Sequence, residues 1–230
     1  MEMNRRELML GALAGVAVGS GLTPAEAATK ATSKSSWFAG TAVDNGVTFR
    51  LTNFAVIDKK WHKQMVKYKS SEPAGTVVVD TRHHFLYLII ENQTAIRYGV
   101  GVGRDGFQWF GRANIDRKSL WPKWTPPPEM LKRQPDLPPF VDGGAPTNPL
   151  GPRAMYLHGG GGDTGYRLHG TLEPWSIGKN VSSGCVRMFS EDVIDLYQRC
   201  PKGTKVLVLK HLGAPIIDEA APVDSQQPPG

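Results

Sequence analysis

The residues of this 230-residue chain best suited to chemistry are a histidine and a cysteine, His169 and Cys185. Cys185 follows Ser182, Ser183 and Gly184, small residues that let the backbone turn sharply and present its amides beside the sulfur. A free thiol has a pKa of about 8.5, so a neighbouring imidazole is what makes it a usable nucleophile at neutral pH. The pattern predicts acyl transfer with Cys185 as nucleophile, His169 as general base and the Gly184 amide as oxyanion donor.

Each of the two residues taken alone has an ordinary structural explanation. A lone cysteine usually behaves as a small buried hydrophobe, and a lone histidine is usually a satisfied structural residue. Here, however, Cys185 follows a polar turn rather than an apolar run, and His169 precedes Gly170 at the end of a short strand-like segment. The combination favours the catalytic interpretation.

The two segments resemble the signature of the L,D-transpeptidase (YkuD-like) catalytic domain family. That pattern is His-Gly, a spacer, then Ser/Thr-His-Gly-Cys, an apolar residue and Asn or Arg, which His169-Gly170 and 182–187 match. Ser183 stands where the pattern often has histidine, so His169 alone must serve as the base. The resemblance extends from about Gly75 to Leu209. It implies a mainly β fold, a mixed β-sandwich or barrel-like domain with few short helices.

The resemblance also implies the substrate, which is a peptidoglycan stem peptide. The thiolate would attack the carbonyl of the third residue, expel the terminal D-alanine and form a thioester. A second stem peptide would then give a three-to-three cross-link, and water would give carboxypeptidase activity. A free D-amino acid or an envelope protein amine would fit the same thioester as acceptor. Acylation by carbapenems is implied as well, and neither a cofactor nor a metal is expected.

Two other functions stay open. A cell-wall thiol peptidase would use the same groups, although its cysteine usually precedes its histidine in the sequence. A catalytically inactive envelope module could bind peptidoglycan through the basic charge of the chain alone.

Several residues are candidates for contact with the substrate. Arg187 lies two positions beyond Cys185, so an extended backbone places both side chains on one side, where the guanidinium could bind a carboxylate. An ion pair within the protein is the alternative. His158 and His169 would flank a glycine-rich hairpin and lie near the same end of a sheet. The remaining candidates are Gly170, Tyr156, Trp175, Ser182 and Ser183.

From Gly75 the pattern becomes that of strands. Three runs are rich in β-branched and aromatic residues and are separated by turn signals, which predicts antiparallel pairing: 76–81, 85–91 and 94–102. The pair His83-His84 has no acidic or thiol partner in sequence, so we predict no metal site there.

A helix is predicted to begin at Ser190 as its N-cap. Val193, Leu196, Tyr197 and Cys200 recur at helical spacing, and Pro201 ends the run. Cys200 is therefore expected to be a buried, inert thiol rather than a disulfide partner of Cys185.

The segment from Leu120 to Pro152 carries ten of the eighteen prolines. It is long for a connection in a compact domain, and it contains Trp121 and Trp124. We interpret it as a lid over the catalytic groove; a loop packed on the sheet for stability is the alternative.

The N-terminus predicts export. A twin arginine, Arg5-Arg6, precedes a mildly apolar run and the small-x-small pattern Ala25-Glu26-Ala27, which indicates a twin-arginine signal peptide over 1–27 and a periplasmic or cell-envelope location. An uncleaved membrane anchor is the alternative, although the run is short for spanning a bilayer. A tether and short extension would follow over 28–74, the catalytic domain over 75–210 and a disordered tail over 211–230. Whether 56–69 is a packed extension or a surface arm stays open.

The charge of the chain is basic. The net charge is +6, and removal of 1–27 would change it to 25 minus 18, or +7. An exported basic protein is attracted to anionic envelope polymers, and nucleic acid is not an expected partner in that compartment.

Overall fold

Twelve strands and two α-helices form the part of the chain that the computed structural model describes, residues 33–91, 93–104, 109–182 and 184–209. The helices are α1 (Pro128–Arg133) and α2 (Ser190–Arg199). The strands are β1 (Phe38–Asp44), β2 (Val47–Thr52), β3 (Gln64–Lys67), β4 (Val77–Asp80), β5 (Phe85–Ile89), β6 (Thr94–Gly103), β7 (Gly111–Leu120), β8 (Arg153–Gly159), β9 (Gly162–His169), β10 (Asn180–Ser182), β11 (Val186–Met188) and β12 (Lys205–Val208). The predicted signal peptide and C-terminal tail lie outside the described residues.

Eight of these strands close into a barrel. Their order is β6-β11-β9-β8-β7-β12-β4-β5, and β5 pairs back to β6 to complete the ring. Most pairs are antiparallel, while β9–β11 and β4–β12 are parallel. The predicted mainly β, barrel-like fold with few short helices is confirmed.

Alternation of side chains separates the two faces of the barrel wall. Leu168 and Val186, on β9 and β11, belong to the main apolar core, as do Met155 and Leu157 on β8. Since neighbouring residues of a strand point to opposite faces, the residues between and beside them face outward. This outer face of β8, β9 and β11 carries the candidate site.

Helix α2 packs its apolar side against the same core. Val193 and Leu196 are fully buried, and Cys200 at the C-terminal end of the helix is 1% exposed. The predicted helix is confirmed, but its N-cap is Phe189 and not Ser190, which is already helical. The Ser190 side chain makes a hydrogen bond to the Thr171 carbonyl instead of capping the helix. No described helix is long and apolar enough to cross a membrane.

The N-terminal extension is an ordered hairpin, β1–β2, that is fastened to the domain at two points. Arg153 makes a bidentate ion pair with Asp44, with both N–O distances 2.7 Å, and the Trp121 indole donates to the same carboxylate. At the other strand, Thr52 donates from its backbone and hydroxyl to Glu191. The guanidinium of Arg153 holds the pKa of Asp44 at about 2.

Residues 56–69 form a packed extension and not a surface arm. Strand β3 adds to the edge of β6, and Trp61 packs on Gly99 and Gly178. A side chain at Gly178 would collide with the Trp61 ring, because its Cβ would lie 2.4 Å from the nearest ring atom. The alternative that the sequence left open is thus decided by a close packing contact.

Candidate active site

Cys185 lies at the end of a tight turn that precedes β11. Gly184 has φ +124°, a conformation that favours glycine. The buried hydroxyl of Ser182 donates to the Cys185 carbonyl at 2.6 Å and accepts from the Gly184 N–H at 3.2 Å. These two hydrogen bonds of Ser182 stabilise the turn. Ser183 lies outside the described residues.

The thiol of Cys185 is half-buried, and its surroundings are polar. It donates to the Gly165 carbonyl, with an Sγ–O distance of 4.0 Å. Burial raises the pKa of Cys185, while the backbone N–H of Arg167 and the charges of Arg167 and Arg187 oppose that rise. Burial dominates and the pKa lies above its ordinary value, so the thiol is neutral at pH 7.

The imidazole of His169 is oriented by its own neighbour. Its Nδ1 is 2.6 Å from the Gly170 carbonyl oxygen, and because a carbonyl can only accept, Nδ1 carries the proton. The Nε2 lone pair of the neutral ring is then free to accept. His169 is 5% exposed, and burial lowers its pKa to about 4, so the ring is neutral at pH 7.

Strand pairing brings the two residues to one face. Val186 pairs with Leu168 and Arg187 with His169 across the parallel strands, so Cys185, Arg187, Arg167 and His169 all face outward. Strand spacing and rise put the Cα atoms of Cys185 and His169 roughly 8 Å apart.

Two arginines beside the thiol are already paired with acids. Arg187 donates to Glu173 at 2.6 Å, and its side chain is 18% exposed. Arg167 makes a bidentate ion pair with Asp163, at 2.7 and 2.8 Å. The ion-pair alternative for Arg187 is therefore present in the structure, and a substrate carboxylate would have to share this guanidinium with Glu173.

Tyr156 lies on the same outer face, opposite Arg167 on β9 and Arg117 on β7. The guanidinium of Arg117 is 3.4 Å from the centre of its ring and that of Arg167 is 4.7 Å away. The ring is buried beneath the two cations. Tyr156 thus contacts Arg167 on the Cys185 side and Arg117 on the β7 side.

The prediction that His158 and His169 lie near the same end of the sheet is wrong. In an antiparallel hairpin, residues equidistant from the turn are paired, so His158 pairs with Asp163 near the turn while His169 pairs with Ala154. Four residues of β8, about 13 Å, separate the two levels. His158 instead lines a cavity of about 310 Å³ with Arg112, Asn114 and Lys205, among others, and lies 3.8 Å from Asp116.

Gly170 and Trp175 serve packing contacts in the structure. A Cβ at Gly170 would lie 2.8 Å from Pro152 and 3.2 Å from Val193, so the backbone is buried there. Trp175 meets the rings of Trp37 and Phe38 edge-on, at 6.2 and 6.4 Å. Their predicted contact with substrate stays a prediction.

The proline-rich segment is a structured hairpin at its base. Trp124 and Val141 exchange backbone hydrogen bonds, and the buried side chain of Asn148 donates to carbonyls on both sides. Trp121 packs on Phe49 of the N-terminal hairpin, at 5.7 Å between ring centres. The base of the segment is therefore packed on the domain, as in the alternative to a lid. Only the largely exposed tip over 126–140 could serve as a lid.

Sequence reasoning missed Arg167, Asp163, Glu173 and Arg117. Period-two alternation back from His169 would have placed Arg167 on the same face. Glu173 and Arg117 carry no such signal, because their positions depend on strand order and a loop. In the described part of the chain, no cluster of three or more histidine, cysteine or acidic side chains could hold a metal.

The relatives found by sequence comparison are described as L,D-transpeptidases. A putative L,D-transpeptidase encoded in the ATP synthase subunits region of Fuscovulum blasticum is 41% identical over 99 residues, 43% of this chain and 49% of that protein. The probable L,D-transpeptidase ErfK/SrfK of Escherichia coli is 33% identical over 143 residues, 59% of this chain and 44% of that protein. The chain thus spans about half the length of these relatives.

A solved structure from Brucella melitensis, described as a probable carnitine operon oxidoreductase, is 46% identical in sequence. It covers 68% of this chain and 99% of its own, with a TM-score of 0.46. The family model of the L,D-transpeptidase catalytic domain (YkuD) matches residues 74–208, which is 135 of 230 residues and includes both His169 and Cys185. The chain belongs to the L,D-transpeptidase catalytic domain (YkuD) family.

Proposed function

We propose that this chain is a peptidoglycan L,D-transpeptidase that works through a Cys185 thioester and forms three-to-three cross-links. The observation that carries the proposal is the shared outer face. There a half-buried thiol lies across adjacent strands from a neutral imidazole whose Nδ1 is fixed by the Gly170 carbonyl. Family membership supports the enzyme class, and the geometry supports the assignment of the two roles.

The proposed reaction has two halves. The thiol proton passes to Nε2 of His169 as the sulfur bonds to the carbonyl carbon of the third stem residue. When the peptide C–N bond breaks, the imidazolium returns that proton to the departing D-alanine amine. The acceptor amine then attacks the thioester and gives a proton to His169. As the C–S bond breaks, the imidazolium returns that proton to the sulfur and restores the thiol.

The low pKa of His169 and the raised pKa of Cys185 favour this order of events. Both groups are neutral at rest, so the reaction uses a general base at the moment of attack and not a stored thiolate–imidazolium pair. The adjacent Arg167 and Arg187 stabilise the negative charge that develops on sulfur.

The amides of Gly184 and Cys185 are the proposed oxyanion donors. The Gly184 N–H is engaged by the Ser182 hydroxyl at 3.2 Å, a long hydrogen bond. It would exchange this partner for the substrate oxyanion, which as a charged acceptor binds an amide more strongly than a neutral hydroxyl does.

Incubation with a disaccharide tetrapeptide that carries diaminopimelate tests the proposal, with mass spectrometry of both protein and products. A thioester adduct on Cys185 and cross-linked dimers support transpeptidation. Free tripeptide alone identifies an L,D-carboxypeptidase, cleavage elsewhere in the stem identifies a thiol peptidase, and intact substrate bound to unchanged protein identifies an inactive binding module.

We further propose that the protein acts in the periplasm or cell envelope after export by the twin-arginine route, with the signal over 1–27. Its partners there would be stem peptides, with envelope protein amines as a second class of acceptor. Fractionation of cells that produce the double variant Arg5→Lys and Arg6→Lys tests the route. Loss of the protein from the envelope fraction is expected.

A further inference from the structure

Three arginines lie on the outer face that carries Cys185, on three strands of the barrel wall. They are Arg187 on β11, Arg167 on β9 and Arg117 on β7, with Tyr156 of β8 between the last two. The strand register sets this order, so all three side chains lie on the same outer side of the barrel wall.

The three differ in what they already bind. Arg187 is paired with Glu173 and Arg167 with Asp163, so the charge of each is largely matched by a carboxylate. Among the described residues, no carboxylate lies within ion-pair distance of Arg117, and its side chain is exposed. Arg117 therefore leaves a positive charge without an anion at the edge of the site.

The Arg117 guanidinium is nevertheless held in position. It lies 3.4 Å from the centre of the Tyr156 ring, a cation–π contact that orients a planar guanidinium and leaves its N–H groups available for hydrogen bonds. A bidentate acceptor of matching geometry is a carboxylate. A guanidinium that is held by an aromatic ring and has no carboxylate partner is suited to bind the carboxylate of a ligand.

We propose that Arg117 binds a second, distal carboxylate of the donor substrate, carried on the side chain of the residue whose carbonyl Cys185 attacks. The inference rests on the proposed function and assigns to this site a preference for a free acid over an amide at that position. Arg117 would act in substrate binding, and the proton transfers would remain with His169.

The distance between Cys185 and Arg117 fits a carboxylate that is remote from the reacting carbonyl. Tyr156 is two strands away from Cys185, or about 10 Å across the sheet, and Arg117 stacks on that ring. The departing D-alanine is bonded to the reacting carbonyl, so its carboxylate lies too close to Cys185 to reach Arg117. A carboxylate at the end of a long side chain spans the gap.

The experiment compares two tetrapeptide donors that differ only in whether the side-chain carboxylate of the third residue is free or amidated. Steady-state rates are measured for the full protein and for Arg117→Gln and Arg117→Lys. Arg112→Gln is the matched control, because Arg112 lies on the same strand but is paired with Glu72. Circular dichroism and thermal melts confirm that each variant is folded.

We expect Arg117→Gln to lower kcat/KM for the free acid about tenfold, mainly through KM, and to leave the amidated donor unchanged. Arg117→Lys should recover part of the loss, and Arg112→Gln should match the wild type. Equal losses on both donors, or an equal loss in Arg112→Gln, would overturn the inference while leaving transpeptidation intact. If the wild type converts neither donor, the proposed function itself fails, and this inference falls with it.

Discussion

The two cysteines of this chain are both free thiols with pKa values raised by burial, yet they lie in opposite surroundings. Cys200 is enclosed in the apolar core at the end of α2, where burial raises its pKa to about 11. Cys185 is half-buried on the outer face, beside an amide N–H and two arginines that lower its pKa against the effect of burial. Burial and two neighbouring cations act on both thiols; what distinguishes Cys185 is its place on the half-buried outer face and the backbone N–H of Arg167 beside it.

The same contrast holds for two carboxylates. Asp163, on the outer face, is paired with Arg167, and hydrogen bonds from Gly165 and Arg167 together hold its pKa below the usual value although burial opposes them. Asp192, on α2, is 3% exposed, and its Oδ2 has no hydrogen-bond partner among the described residues. Burial raises the pKa of Asp192 to about 7. The paired Asp163 is thus held in its charged form, whereas the charged form of the buried Asp192 is disfavoured.

The largest expected effect comes from removing each of the two thiols in turn. Cys185→Ala should abolish acylation by a carbapenem, because it removes the nucleophile, while Cys200→Ala should leave acylation intact. Intact-mass spectrometry after carbapenem treatment measures the adduct. An adduct that survives in the Cys185 variant would show that the outer-face thiol is not the reactive one.

The next effect concerns the two histidines of the β8–β9 hairpin. His169→Gln should slow acylation by roughly a hundredfold or more, the usual result of losing a general base. His158→Gln should have a much smaller effect, because His158 lies near the turn, away from the level of Cys185. Stopped-flow acylation rates make the comparison, and equal losses would mean that the base is misassigned.

A smaller effect, on products and not on acylation, is expected from the tip of the proline-rich segment. Removal of Pro126–Pro139 should shift products from cross-linked dimer toward hydrolysed tripeptide, because a lid excludes water from the thioester. The deletion begins beyond the Trp124–Val141 pair, so the hairpin base is retained. An unchanged dimer-to-tripeptide ratio in the folded variant would identify the tip as packing.

The last prediction affects stability and leaves chemistry unchanged. The pKa of Asp192 is about 7 in the folded state against an ordinary 3.8. Preferential protonation of the folded state therefore stabilises the protein in full below about pH 4, and this stabilisation is lost as the pH rises through 7. Asp192→Asn removes this loss and should stabilise the protein at pH 8 by a few kcal/mol, because a pKa difference of one corresponds to roughly 1.4 kcal/mol.

Urea unfolding of wild type and Asp192→Asn between pH 4 and pH 8 measures the difference. The charges around Asp192 are Lys63, Glu191 and Asp195, and all three are retained in the variant. Asp163→Asn is the control, since that carboxylate is paired and its loss should give no gain at pH 8. Parallel stability curves for wild type and Asp192→Asn would show that Asp192 does not carry the pH dependence.

Much of the fold was readable from local pattern. Runs of β-branched and aromatic residues between turn signals predicted β4, β5 and β6, and helical spacing predicted α2 with Cys200 in the core. The two errors have different origins. The helix begins one residue earlier than predicted, and the Ser190 hydroxyl bonds to the Thr171 carbonyl of another segment, a contact that local pattern does not reveal. The error for His158 is local, because antiparallel strands place the C-terminal ends of β8 and β9 at opposite ends of the hairpin.

The chemistry available to the site follows from residue types and their order: a cysteine after a turn of small residues, and a histidine before a glycine at the spacing of one family. Both are local properties of the chain. The charges that surround this chemistry depend instead on how the chain folds. Arg167 lies beside Cys185 because β9 pairs with β11, Arg117 shares their face because β7 pairs with β8, and a loop brings Glu173 to Arg187. Such contacts are fixed by the packing of separate segments of the chain.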